Sequence, residues 1–170
     1  MLRLLDPDRD GPALHAIFGD EESCRYLTEP AYASVEETVA TLKRWTEGFE
    51  DTSWAIVERE DGEALGRISL FTHGDKKIWE AACMVAPAAR GRGFAARALE
   101  TAIDYVFDQK GARRIFADID PDNAACIRVF QKLGFQHEGV LRGAWETHIG
   151  ERDAVIMGLL KNDRRPWRAA

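Results

Sequence analysis

Residues 85–99, VAPAARGRGFAARAL, constrain this chain more than any other stretch. A short apolar run ends at Val85-Ala86-Pro87, and after Arg90-Gly91-Arg92-Gly93-Phe94-Ala95 a helical pattern begins. Glycines at a strand-to-helix turn let backbone N–H groups converge with no Cβ in the way. The helix N-terminus adds a partial positive charge, and Arg90 and Arg92 add two full ones. The stretch therefore reads as an anion cradle, with a pyrophosphate as its natural guest. It is not a P-loop, because no Lys-Ser/Thr follows the glycines. It is a weak match to the dinucleotide fingerprint, since Ala96 stands where the third glycine belongs. Taken alone, the hexapeptide is equally a surface turn with solvated arginines, so its context has to decide.

The pattern on either side is mixed α/β. Leu2–Leu5 reads as a strand, and Pro12–Phe18 and Val35–Phe49 as helices, the second capped by Ser34 with Glu37 in a capping box. Ser53–Glu58 and Ala64–Phe71 read as strands around an Asp61-Gly62 hairpin turn, and Ile78–Val85 as a third. Phe94, Ala95, Ala98, Leu99, Ala102, Ile103, Val106 and Phe107 recur at helical spacing, up to a stop at Gly111. Ile115, Ala117 and Ile119 alternate as a strand. Asp120-Pro121 is expected to open the next helix, with Pro121 at its first position, and Gly134 to close it. Two more strands follow, near 136–142 and 152–160. Residues 161–170 form a polar, basic tail that is expected to fray, unless Trp167 docks on the body or on a second subunit.

Composition excludes several classes. A chain of 170 residues suits one domain, expected to span 1–160, with a core of its own. No apolar run approaches a membrane span, and Met1–Pro7 is too short in apolar residues for a signal peptide. A net charge of −6 argues against a nucleic-acid partner. Cys24, Cys83 and Cys126 are odd in number and widely spaced, so neither a disulfide framework nor a metal site is expected, and a reducing cytoplasm is the default location.

Arg90-x-x-Gly93-x-Ala95 resembles the [Q/R]-x-x-G-x-[G/A] motif of the GNAT acyl-coenzyme A transferases. Asp122–Phe135, DNAACIRVFQKLGF, resembles the second landmark of that family, N-x-x-S-x-x-V-x-E-K-x-G-F, with Cys126 for Ser and Gln131 for Glu. Glu138-Gly139-Val140-Leu141-Arg142 resembles the EG-x-L-R strand of the RimJ/RimL-type branch. Asp153 with Gly158-Leu159-Leu160, Gly66-Arg67-Ile68-Ser69-Leu70 and Arg25-Tyr26-Leu27 resemble other segments of that branch. These matches run in order over residues 2–160. The resemblance implies a bent, mostly antiparallel sheet flanked by helices. Its parallel strand pair, here Ile78–Val85 and Arg114–Asp120, splays to admit the pantetheine arm of acetyl-CoA.

It also implies a reaction, direct acetyl transfer from acetyl-CoA to a primary amine, either a protein N-terminus or a small amine. No metal is required, and the protein is expected to be a monomer or homodimer. Arg90, Gly91, Arg92, Gly93, Phe94 and Ala95 would hold the pyrophosphate. Met84 or Val85 would offer a backbone N–H to the oxyanion, and Asn123 would bond the pantetheine arm or cap its helix. Glu80 is the first candidate base, with burial expected to raise its pKa. Alternatively it binds the substrate cation or pairs with Lys76 or Arg67. His73, Glu146 and His148 are reserves. Phe130 stands where many members place a tyrosine to protonate the leaving thiolate, and it has no proton to give. Cys126 is then either the donor to that thiolate or a small apolar filler. Without a competent donor, the alternative reading is a non-catalytic module that binds acyl-CoA.

Overall fold

The computed structural model describes residues 1–168 of the chain. A single sheet of seven strands forms its centre, in the order β1-β2-β3-β4-β5-β7-β6. The strands are β1 (Leu2–Leu4), β2 (Ser53–Ile56), β3 (Gly66–Thr72), β4 (Ile78–Val85), β5 (Arg114–Ile119), β6 (Gln136–Thr147) and β7 (Gly150–Leu160). The helices are α1 (Pro7–Phe18), α2 (Glu21–Cys24), α3 (Val35–Thr46), α4 (Phe94–Gln109) and α5 (Ala124–Lys132). Every neighbouring pair of strands is antiparallel except β4 and β5, which are parallel. The expected α/β class and the expected bent-sheet architecture are therefore the ones observed.

Strand alternation sends successive side chains to opposite faces. One face carries Ile68, Leu70, Trp79, Ile115, Met157 and Leu159, and these pack with the buried stripe of α4 from Ala98 to Phe107. On the other face Ala55 and Val57 meet Leu14, Ile17, Phe18 and Leu42 of α1 and α3. That second core reaches the end of β4 at Met84, with Ala86 just beyond the strand. Beyond it, Glu80, Ala82, Phe116 and Asp118, on the outward side of β4 and β5, are only half-buried, which leaves this side of the sheet a partly open cleft.

Local chemistry moves several boundaries. Helix α1 begins at Pro7, five residues before the expected start. The Asp6 carboxylate accepts from the N–H groups of Asp8 and Arg9, and Pro7 fits the first turn. Asp10, 2% exposed, is then held by Arg3 at 2.7 Å, which ties α1 to β1. The short helix α2 carries no period and was not expected; it is fixed by Asp20, which accepts from the Ser23 N–H at 2.8 Å. Helix α3 stops at Thr46, and Gly48 follows at φ +79°. Ser34 caps it as expected, whereas Glu37 reaches back to the Ala33 N–H, one residue short of a true capping box. Pro121 does not open α5. It lies in a turn closed by Asp120, and Asn123 is the cap. Strands β6 and β7 run further than their alternation suggested, with register shifts between His137 and Gly139 and between Leu141 and Trp145.

The tail is not frayed over its described part. Arg165 donates to Asp104 of α4 at 2.7 Å, the Trp167 indole N–H donates to the other oxygen at 3.0 Å, and Arg168 reaches Asp104 and Asp108. Only residues 169 and 170 of the expected tail lie outside the described residues. Asp104→Ala should therefore remove two hydrogen bonds at once and cost about 2 kcal/mol, read as a lower urea midpoint with an unchanged slope; an unchanged midpoint would show that the tail contributes nothing.

Candidate active site

The glycine turn lies between β4 and α4, as expected, and its arginines are already engaged. Gly91 and Gly93 both sit at φ +75°, a conformation that side chains with a Cβ avoid. Gly93 is the N-cap of α4 and supplies no side-chain cap, and no acid lies in the first turn. The first N–H groups of a sixteen-residue helix are thus left uncapped by any side chain. Arg90 donates through Nε to the Val85 carbonyl at 3.2 Å and through its guanidinium to Ser23 of α2 at 2.6 Å. Arg92 pairs with Glu58 and lies 4.7 Å from the centre of the Phe94 ring. A groove of about 570 Å³ borders the start of α4, lined in part by Glu58, Arg92, Phe94 and Arg97. It includes none of Glu80, Cys126 or Asn123, so it is not where those groups meet.

Glu80 instead lies at the parallel seam of the sheet. Strands β4 and β5 pair only over Ile78–Glu80 and Arg114–Phe116. From Ala81 onward the β5-facing edge of β4 has no strand partner, and β5 likewise from Ala117. Backbone donors and acceptors on both edges are left for another group to satisfy. Met84 and Val85 lie on this free stretch, paired on their other side with Arg67 and Gly66 of β3. Asn123 caps α5 by accepting from the Cys126 N–H at 3.1 Å.

Glu80 is the last residue of β4 within the parallel pairing and points to the face left open. Burial pushes its carboxyl above the ordinary range, against a downward pull from His73, whose Nε2 lies 2.6 Å from Oε2. Neither Lys76 nor Arg67 is its partner; His73 is. Asp118 of β5 faces the same cleft and was missed at the level of sequence. It too is held above the usual carboxylate range by burial, opposed by the Trp145 indole N–H at 2.8 Å. The signal was available, because the inward alternation of Ile115, Ala117 and Ile119 sends Asp118 to the cleft face. Two half-buried carboxylates with raised pKa values can draw a proton from an ammonium group near neutral pH or hold that group in place.

The remaining candidates separate clearly. Cys126 is half-buried against the α4 core, and burial pushes its thiol up to about 12, so it stays protonated at neutral pH. Burial raises the Cys83 thiol as well. Phe130 is 2% exposed and packs edge-on against Phe135, as a core residue does. His148 bonds the Cys24 carbonyl at 3.2 Å and donates its backbone N–H to Thr28, which clips the β6–β7 turn to the chain after α2. Glu146 stands exposed opposite Glu151.

A fold with a splayed parallel pair beside an uncapped glycine cradle is that of an acyl-transfer domain. The family model describing an acetyltransferase (GNAT) domain matches residues 1–136. The uncharacterized N-acetyltransferase YoaA of Bacillus subtilis (strain 168) is 30% identical over 158 residues, 91% of this chain and 89% of its own. The spermidine N(1)-acetyltransferase of Escherichia coli (strain K12) is 29% identical, over 88% of this chain and 80% of its own. A spermidine N-acetyltransferase from Vibrio cholerae, solved in complex with CoA and spermine, superposes with a TM-score of 0.78 at 22% identity, covering 96% of each chain. The chain belongs to the GNAT family and is an N-acetyltransferase. Among the described residues, no helix is long and apolar enough to cross a membrane.

A folded-state pKa above the unfolded one means that the ionised Glu80 costs stability at neutral pH, and that this cost disappears below the unfolded pKa. Glu80→Gln should thus be at least as stable as the parent in urea at pH 7 and lose that advantage near about pH 4. A variant less stable at pH 7 would mean that the contact with His73 outweighs burial.

Proposed function

We propose that the chain is a cytoplasmic acetyl-CoA-dependent N-acetyltransferase of the RimJ/RimL-type branch, acting on a primary amine. The observation that carries the reading is the lapse of β4–β5 pairing beside the uncapped N-terminus of α4. The residues present fit the donor. Gly91 and Gly93, at positive φ, leave backbone N–H groups open to a pyrophosphate, with Arg90, Arg92, Phe94 and Ala95 around it. The free edge of β4 at Met84 and Val85 suits the amides of a pantetheine arm, and Asn123 borders the same gap. Bound there, acetyl-CoA supplies an activated thioester. Residues 1–160 act as one catalytic domain, with the segment after them packed on α4.

The chain's own groups then have distinct tasks. Glu80 takes a proton from the incoming ammonium, directly or through water, and its raised pKa suits it to exchange protons closer to neutral pH. The backbone N–H of Val85 holds the charge that develops on the acyl oxygen, because that of Met84 points to β3. Cys126, too poor an acid to give up its proton readily, donates a weak hydrogen bond to the departing sulfur. Asp118 steadies the ammonium from the opposite strand. Positioning two substrates in one slot contributes much of the rate.

Calorimetric titration with acetyl-CoA, with ATP and NAD as controls, should show micromolar binding of acetyl-CoA alone, and Arg90→Ala should weaken it about tenfold. Equal affinity for the controls would sink the donor assignment. In steady-state assays Glu80→Gln should lower kcat by at least about 100-fold and abolish the fall of kcat/KM at low pH. Turnover at the parent rate would remove Glu80 as the base and leave Asp118 in its place.

A further inference from the structure

Arg67 of β3 has no counter-ion. It is 5% exposed, yet no carboxylate lies within salt-bridge distance of it among the described residues. The comparison within the chain is telling: the other buried ion, Asp10, is matched by Arg3. The Arg67 guanidinium donates to the Ser69 hydroxyl and lies 5.2 Å from the centre of the Trp45 ring, while its buried Nε has no partner at all. Burial draws its pKa down to about 10, which still leaves it charged at neutral pH. A buried, unmatched cation is costly, and the cost is removed when an anion arrives.

Its surroundings say where that anion would come from. Arg67, Ser69 and Phe71 share the face of the sheet that carries Glu80, and in register they stand opposite Met84, Ala82 and Glu80 of β4. The guanidinium reaches along β3 to Ser69, which leaves it two residues, about 7 Å along the strand, from the row that holds Glu80. Ala82, opposite Ser69, is half-buried and contributes only a methyl group, so the row between cation and carboxylate has little side chain to fill it. A single guanidinium balances one negative charge, which fits a carboxylate better than a phosphate dianion.

We infer that Arg67 is the anion subsite of the acceptor cleft, and that the preferred acceptor is a primary amine that carries a carboxylate. The inference rests on the reading of this cleft as the acceptor site. Glu80 and Asp118 take the ammonium end and Arg67 with Ser69 takes the carboxylate end. A polyamine, positive at both ends, is disfavoured by the same guanidinium.

The test uses matched acceptors with acetyl-CoA: 4-aminobutyrate against butylamine, the dipeptide amide Met-Glu-amide against Met-Gln-amide, and spermidine. The first pair reports a small amino acid, the second an acidic residue behind a polypeptide N-terminus. At least one pair should favour the carboxylate by about 30-fold in kcat/KM, spermidine should be poorer than the favoured acceptor, and Arg67→Met should abolish the preference while leaving butylamine turnover within about threefold. Arg67→Lys, which keeps the charge without the planar fork, should restore part of the preference. Calorimetry on the CoA-loaded protein with 4-acetamidobutyrate and acetyl-Met-Glu-amide gives a second readout, with binding of at least one expected in the parent and lost in Arg67→Met; urea melts confirm that both variants fold. Equal rates within both pairs, or no binding of either product by the parent, overturns the inference and leaves acetyl transfer intact. Failure to bind acetyl-CoA strikes the proposed function instead.

Discussion

The active region depends on a parallel pairing that stops after three residues. Had β4 and β5 stayed in register, their edges would have been satisfied by each other and the sheet would have closed over the seam. Instead α4 and α5 wedge beneath the strands, with Ala98, Leu99 and Phe130 packed into the same core as Ile115 and Ala117, and the strands part above Glu80 and Phe116. Unpaired backbone in a half-buried slot is costly to leave unsatisfied, so the divergence itself favours a guest with amide groups.

Charge is distributed unevenly across this region. At the start of α4 the fold offers uncapped N–H groups and arginines held by neutral or surface partners: Arg90 on Ser23, Arg92 on Glu58. At the β4–β5 seam, Glu80 and Asp118 are kept partly out of water, with single polar contacts in place of salt bridges to arginine or lysine. Contrast Asp120, where Arg152 holds the carboxyl below its usual range and makes it a structural anchor. The same residue type is held above its usual range in one place and below it in the other because burial wins at Asp118 and the guanidinium wins at Asp120.

Much of this was legible in the chain. The helical stripe of α4 and the alternation of β5 are strong periods, and each appeared at its expected place. The glycine cradle was legible because positive φ demands the residue it uses. What escaped was set by contacts distant in sequence or by single caps. Pro121 looked like a helix opener, but the Asp120 turn and the Asn123 cap placed the start of α5 three residues later. The tail looked frayed because nothing in 161–168 reveals that Asp104 and Asp108 wait on α4. Arg67 looked like an ordinary strand residue; only its burial without a partner makes it notable. Asp118 was hidden for the opposite reason: the buried alternation of Ile115, Ala117 and Ile119 carries the strand signal, and an acid between them reads as solvated.

Strand β4 serves both compartments through the simplest property of extended chain. Trp79 and Ala81 build the floor under α4, while Glu80 and Ala82 point to the opposite face. Sliding this strand by a single residue exchanges the two sets: an indole enters the cleft and a carboxylate enters the core. The spacing between Asp75, which fixes the turn before β4, and Pro87, which ends it, is therefore as strictly determined as any side chain in the site. Length in this segment, more than residue identity, is what an insertion or deletion cannot alter without losing fold and chemistry together.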